Sequence, residues 1–301
     1  MIVRSFETNI TLPDGTTIFC KIYNRGLLPE IHAKETTIIA LHGGPGLDHT
    51  LMIPFWSQLA SDYQIILPDL RGCGRSSKSS SVKWNLASWS EDVAALIKGL
   101  KLNAKPFLAG SSFGGYVTLK YATQFRESIA GIILCDTEGR MDREKFFKRM
   151  REKVNKLGKD DPEIILNAAN NFFNDPTEKA LGDYVQHCLP YYQTSPKLEL
   201  DMSQLIFSPE VLKHFNLHEL FSFDLLLQLK NITIPVLYLS SGINPYHASE
   251  SANETASAMV NTHVDHHVFA GVGSEVCFHE PEKCKNLIQE FISKIPDSDV
   301  S

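Results

Sequence analysis

Apolar residues recur along this chain in two rhythms, and the switch between them marks its elements. Phe6–Leu12 and Thr17–Tyr23 alternate apolar with polar positions on either side of Pro13-Asp14-Gly15, a turn sequence, so the first 25 residues read as a hairpin. Thr36–Leu41 is instead a continuous apolar run, the pattern of a strand buried on both faces of a parallel sheet. Gln64–Pro68, Pro106–Gly110, Ile129–Cys135 and Ile234–Ser240 have the same character, and a further strand is expected near His263–Phe269.

Between these runs the spacing is helical. Segments are expected at about Thr50–Ser61, Ser249–Met259 and Pro281–Ile295. Ser88 is expected to cap a helix reaching about Lys101, with Trp89, Val93, Leu96, Ile97 and Leu100 on one face. Gly114, Val117, Tyr121 and Phe125 follow at steps of three and four. Strands alternating with helices predict an α/β fold, with a doubly wound, mostly parallel sheet of eight strands.

The alternation stops from about Arg140 to Lys230. That stretch shows helical patterns and no clear strand, the first pattern placing Phe146, Phe147, Met150, Val154 and Leu157 on one side. Its lysines and arginines are interleaved with Asp142, Glu144 and Glu152, which reads as a solvated helix surface rather than a basic binding face. Residues 1–139 and 231–301 are therefore expected to form one core, with residues 140–230 inserted as a helical lid.

Composition narrows the class. The 301 residues suffice for a full core, and 43% hydrophobic with 21% charged content is that of a globular protein. A net charge of −6 argues against nucleic acid or an anionic membrane as partner. No apolar run approaches the roughly 20 residues a membrane-spanning helix needs. Met1–Glu7 lacks the apolar stretch of a secretion signal. Six cysteines without C-x-x-C spacing read as reduced thiols of a cytoplasmic protein, not as a disulfide framework or zinc site. A monomer or small homo-oligomer is expected.

Three motifs carry chemistry, each at the carboxyl end of a strand, where open α/β sheets bind ligands. Gly110-Ser111-Ser112-Phe113-Gly114 is a G-x-S-x-G between a strand and a helix, the context of a nucleophile elbow that lifts the Ser112 hydroxyl above the sheet. His42-Gly43-Gly44-Pro45-Gly46 follows the first buried strand, and its glycines allow backbone N–H groups to face a developing oxyanion. Asp69-Leu70-Arg71-Gly72-Cys73-Gly74-Arg75-Ser76 follows the next. No G-x-x-x-x-G-K-[ST] or G-x-G-x-x-G opens a helix after the first strands, which weakens a nucleotide-binding alternative.

On these motifs the chain resembles the α/β-hydrolase superfamily, and most of all its proline iminopeptidase branch and related lidded serine hydrolases. The resemblance implies that Ser112 is the nucleophile and that the N–H of Phe113, with that of Gly43 or Gly44, forms the oxyanion hole. Arg71 and the glycines around it become supporting structure. The substrate would be a small molecule or short peptide offering a peptide, amide or ester carbonyl, with no cofactor and no metal. Proline iminopeptidases hold the substrate's amino group with glutamates, which makes Glu138 a candidate for that contact.

The same resemblance exposes a gap. The superfamily order is nucleophile, acid, histidine. The acid position, after the strand that follows the lid, falls on Asn244. The histidine position, in the turn before the last helix, falls on Ser274, eight residues from Ser274 to Pro281 matching the usual spacing. An amide cannot stabilise an imidazolium, and a hydroxyl cannot take a proton from Ser112 at neutral pH. Weak or absent turnover is expected, and the alternative is a non-catalytic, ligand-binding pseudo-hydrolase. Asp136 is a candidate stand-in acid, since haloalkane dehalogenases carry theirs at the end of that strand. His279 and His247 are candidate bases, and His42 is expected to brace its loop. His263, Asp265, His266 and His267 look like a metal cluster on paper, but strand alternation sends neighbours to opposite faces.

Overall fold

The computed structural model describes residues 3–25, 30–31, 35–157, 161–192, 202–244 and 249–296. The strands are β1 (Arg4–Thr11), β2 (Thr17–Asn24), β3 (Thr37–Leu41), β4 (Gln64–Pro68), β5 (Phe107–Ser111), β6 (Gly131–Cys135), β7 (Val236–Ser241) and β8 (Val264–Phe269). They form one eight-stranded sheet in the order β1-β2-β4-β3-β5-β6-β7-β8. β1–β2 and β2–β4 pair antiparallel, and every later pair is parallel. The sheet is as the apolar runs predicted.

Why the runs are continuous is visible in β3. Ile38 and Ala40 pack with Met52, Phe55, Trp56 and Ile288 on one face, while Ile39 and Leu41 join Trp89, Phe113 and Tyr116 on the other. Both faces are covered, so the strand is apolar from Ile38 to Leu41, and buried Thr37 at its start is hydrogen-bonded by Gln64. Each such isoleucine contributes roughly 2–3 kcal/mol of burial.

The helices are α1 (Ile53–Trp56), α2 (Leu86–Leu100), α3 (Phe113–Phe125), α4 (Arg143–Leu157), α5 (Pro162–Asn174), α6 (Glu178–His187), α7 (Leu189–Tyr192), α8 (Pro209–His218), α9 (Leu226–Leu229), α10 (Ser249–Ala258), α11 (Val276–His279) and α12 (Pro281–Ser293). Two expectations are corrected. The helix expected over Thr50–Ser61 is three short pieces, with 3-10 turns at His49–Met52 and Ser57–Ser61 around α1. The cap of α2 is Asn85, whose side chain accepts from the Ser88 N–H, so Ser88 lies inside the first turn.

Six helices, α4 to α9, and no strand among the described residues lie between β6 and β7. Their chain leaves and returns at one place, where Arg140 bridges Asp224 and the Leu225 N–H donates to the Gly139 carbonyl. On α4, Phe146, Met150 and Val154 are buried and Phe147 packs against them. The Leu157 side chain lies outside the described residues. Among the described residues no helix is long and apolar enough to cross a membrane.

Candidate active site

The chain turns sharply at Ser112. β5 ends at Ser111, α3 begins at Phe113, and Ser112 between them takes φ 50°, ψ −116°, a conformation L-residues rarely adopt. The strain is held by its surroundings. The Ser112 N–H donates to the Cys135 carbonyl at 3.0 Å, and its carbonyl accepts from the Gly115 N–H at 2.9 Å and the Thr137 hydroxyl at 2.9 Å. All of β5 is buried, whereas Ser112 is half-exposed. A β-carbon on Gly114 would stand 2.3 Å from the Leu41 carbonyl oxygen of β3, and one on Gly115 2.4 Å from Thr137 just beyond β6, so only glycine lets α3 sit this tightly on both.

The Gly-rich loop after β3 runs beside the elbow. A β-carbon at Gly43 would lie 3.7 Å from Ser112 Cβ, and Gly44 has φ 120° with a cis bond to Pro45. His42 braces this loop, as expected. Its Nδ1 meets the Gly43 carbonyl at 2.7 Å, while Nε2 accepts from the Leu70 N–H at 3.1 Å. Burial pushes the ring below its ordinary pKa, so it is neutral and occupied. The Phe113 N–H, first of its helix, has no intrahelical acceptor.

The loop after β4 is a scaffold. Asp69 accepts from the N–H and Nδ1 of His49 at 2.9 and 2.8 Å and from the Arg75 N–H at 2.8 Å. Arg71 grips Asp92 through two bonds of 2.7 and 2.5 Å and reaches Thr16 and Asp14. Asp48, His49 and Asp69 also form the one compact group of ligand-type side chains among the described residues. Its oxygens already serve Thr50, Ile206, His49 and Arg75, which is the donor set of a hydrogen-bond network.

The loops after β7 and β8 lie side by side. The Gly242 N–H donates to the Phe269 carbonyl at 2.8 Å and the Ile243 N–H to the Val272 carbonyl at 3.1 Å. Asn244, 4% exposed, is in the first loop, and half-buried Ser274 is in the second. Lys153 of α4 donates to the Ile243 carbonyl at 2.8 Å, and burial brings its amine down to about 8.

The stand-ins separate. Asp136 has φ 41° and is 2% exposed. One oxygen accepts from the N–H and hydroxyl of Ser241 at 2.7 and 2.6 Å, the other from the Val276 N–H at 3.0 Å. It ties β6 to β7 and α11, and no histidine is among these hydrogen-bond partners. His279 borders a groove with Phe269, Val272 and Lys283, and its buried Nε2 has no hydrogen-bond partner. His247 lies outside the described residues. Glu138 is 2% exposed, just beyond β6. In β8, His266 stacks on Tyr238 and meets the Ser240 hydroxyl at 2.8 Å, while Asp265 and His267 share the opposite face, 2.9 Å apart.

One residue escaped the sequence reading. Glu275 follows Ser274 in a left-handed conformation (φ 55°), its carboxyl group enclosed; burial first, then the Asp136 charge, raises its pKa to about 7. A lone carboxylate inside the apolar run Val272–Phe278 was the available signal.

Comparison with known proteins agrees with this geometry. The chain is 26% identical to a proline iminopeptidase of Thermoplasma volcanium over 51% of its length, spanning about half (52%) of that relative. It is 25% identical to a proline iminopeptidase of Heyndrickxia coagulans over 86% of this chain and 91% of that one. The crystal structure of a proline iminopeptidase from Mycobacterium smegmatis superposes with a TM-score of 0.67 at 18% identity, covering 96% of this chain and 98% of the other. The family pattern described as alpha/beta hydrolase fold matches residues 36–281, and the chain belongs to that family.

Proposed function

We propose that this chain is a serine hydrolase similar to proline iminopeptidases, built to attack a small peptide, amide or ester carbonyl, with an incomplete proton relay. Ser112 is the nucleophile, and the N–H groups of Phe113 and of Gly43 or Gly44 stabilise the oxyanion that forms on attack. The acid and histidine positions are Asn244 and Ser274. Glu138, buried near the site, is the candidate contact for a substrate amino group. The helical segment 140–230 serves as lid over a small-molecule or short-peptide ligand, in a cytoplasmic monomer or small homo-oligomer.

The observation that carries this reading is the strained, half-exposed Ser112 with Gly43 against it. Without a base, the hydroxyl stays protonated and only transition-state stabilisation remains, roughly 10³–10⁴ over water. Asp136 acts as a tie between strands in this account, and His279 as a helix-start residue.

A fluorophosphonate probe tests it. Slow labelling confined to Ser112, abolished in Ser112→Ala and accelerated in the Asn244→Asp/Ser274→His double variant, is the expected result. Equal labelling of wild type and Ser112→Ala sinks the assignment. The second reading, a pseudo-hydrolase that only binds its ligand, is favoured by the residues at 244 and 274. It predicts no labelling of wild type at any exposure time.

A further inference from the structure

Two cysteines 142 positions apart meet beneath the elbow. Cys135 ends β6 and Cys277 lies in α11, and their Sγ atoms are 3.5 Å apart, in hydrogen-bond contact. They are 3% and 6% exposed, and both are free thiols. A void of about 10 Å³, room for one water-sized molecule, is bordered by Cys135 and Cys277 together with Ser111, Asp136 and Glu275. Nothing in the Ser112 chemistry uses this pair.

We propose that Cys135 and Cys277 form a modification site, at which a small peroxide converts the two thiols into a disulfide. The bond would join the neighbours of two key turns. The Cys135 carbonyl accepts the Ser112 N–H, and Cys277 is three residues from Ser274. Oxidation therefore fastens the elbow to the turn that holds the histidine position.

The chemistry closes on itself. The Cys135 sulfur loses its proton to Glu275 and attacks one peroxide oxygen. The O–O bond breaks, leaving a sulfenic acid on Cys135 and a hydroxide that Glu275 protonates to water. The Cys277 sulfur then attacks the Cys135 sulfur, the S–O bond breaks, the S–S bond forms, and the departing hydroxide takes the Cys277 proton. Two thiols and one peroxide give one disulfide and two waters, the thiols losing two electrons and the O–O bond gaining them. Cys135 lies above its ordinary range, the Cys277 S–H lowering it and burial raising it, and Cys277 is raised by its sulfur neighbours and by burial. Thiolate is scarce, so the reaction is slow beside that of an exposed, activated cysteine.

The test treats the folded full-length chain with hydrogen peroxide, alkylates the remaining thiols, and maps a non-reduced digest by mass spectrometry. Two of the six thiols should disappear, a peptide pair joined through Cys135 and Cys277 should appear, and dithiothreitol should reverse both changes. Cys284→Ala should give the same bridge; Cys135→Ala and Cys277→Ala should each give none. A Cys277–Cys284 bridge overturns the proposal. So does a sulfinic or sulfonic acid on one cysteine, or retention of all six thiols at a peroxide dose that oxidises the urea-unfolded chain. Hydrolysis is not measured, so the result stands apart from the fate of the hydrolase reading.

Discussion

The loops after β3 and β4 are held through buried side chains, His42 between Gly43 and Leu70, Asp69 beneath His49 and Arg75, Arg71 against Asp92. The loops after β7 and β8 are held to each other backbone to backbone, Gly242 to Phe269 and Ile243 to Val272, with side-chain ties coming from outside them, from Asp136 and Lys153. The difference matters for what sequence change each region tolerates. In the first, altering a side chain leaves a buried partner unsatisfied, at a cost of about 1–3 kcal/mol or more. In the second, the stitching survives whatever side chain stands at Ser274, which makes no described hydrogen bond of its own. In the proposed reading, this is how the relay positions can change without loss of the fold.

The sharpest way to break this contrast is to place a carboxylate and an imidazole at the two proposed relay positions. Asn244→Asp with Ser274→His should raise kcat/KM for an activated ester by about 10³-fold or more, near 4 kcal/mol of barrier. An unchanged rate in a folded double variant means the two positions do not face Ser112. Next comes packing. Gly114→Ala drives a methyl to 2.3 Å from the Leu41 oxygen and should cost about 3 kcal/mol, read as a lower urea midpoint.

Glu275→Gln should act in a pH-dependent way. The folded pKa, about 7, lies above the ordinary 4.5 because the neutral form is favoured. The folded protein therefore binds the extra proton between those values, and stability falls as pH rises through that window. The neutral amide removes the fall, so the variant should match wild type near pH 4 and exceed it by about 2 kcal/mol near pH 8. Parallel pH profiles from urea titrations would dissolve the claim. Smallest is Gly271→Ala, whose β-carbon would meet nothing within 4 Å, expected within about 0.5 kcal/mol of wild type. If it costs as much as Gly114→Ala, the two regions do not differ in tightness.

Local pattern made the sheet legible, because a strand covered on both faces leaves an unbroken apolar run. The elbow was legible because its glycines are demanded by close contacts of α3, Gly110 against the Gly114 carbonyl and Gly114 against the Leu41 carbonyl. What stayed hidden is nonlocal. Asn85 and Ser88 are both good cap residues, and only the observed bond between them fixes the register. Asp136 reads as a strand-end carboxylate until β7 and α11 are seen to close on it. Glu275 gains its raised pKa from enclosure, and Cys135 meets Cys277 only because β6 and α11 adjoin. No spacing rule spans 142 residues.

The bond from the Ser208 N–H to the Gly46 carbonyl, 2.7 Å long, joins the residue before α8 directly to the glycine stretch beside Ser112. A β-carbon at Gly46 would fall 2.6 Å from the Ser208 oxygen, so the two chains are in contact with no slack between them. A displacement of α8 therefore pulls on the glycine stretch beside Ser112, and in the proposed reading the covering helices and the oxyanion-binding loop are mechanically joined.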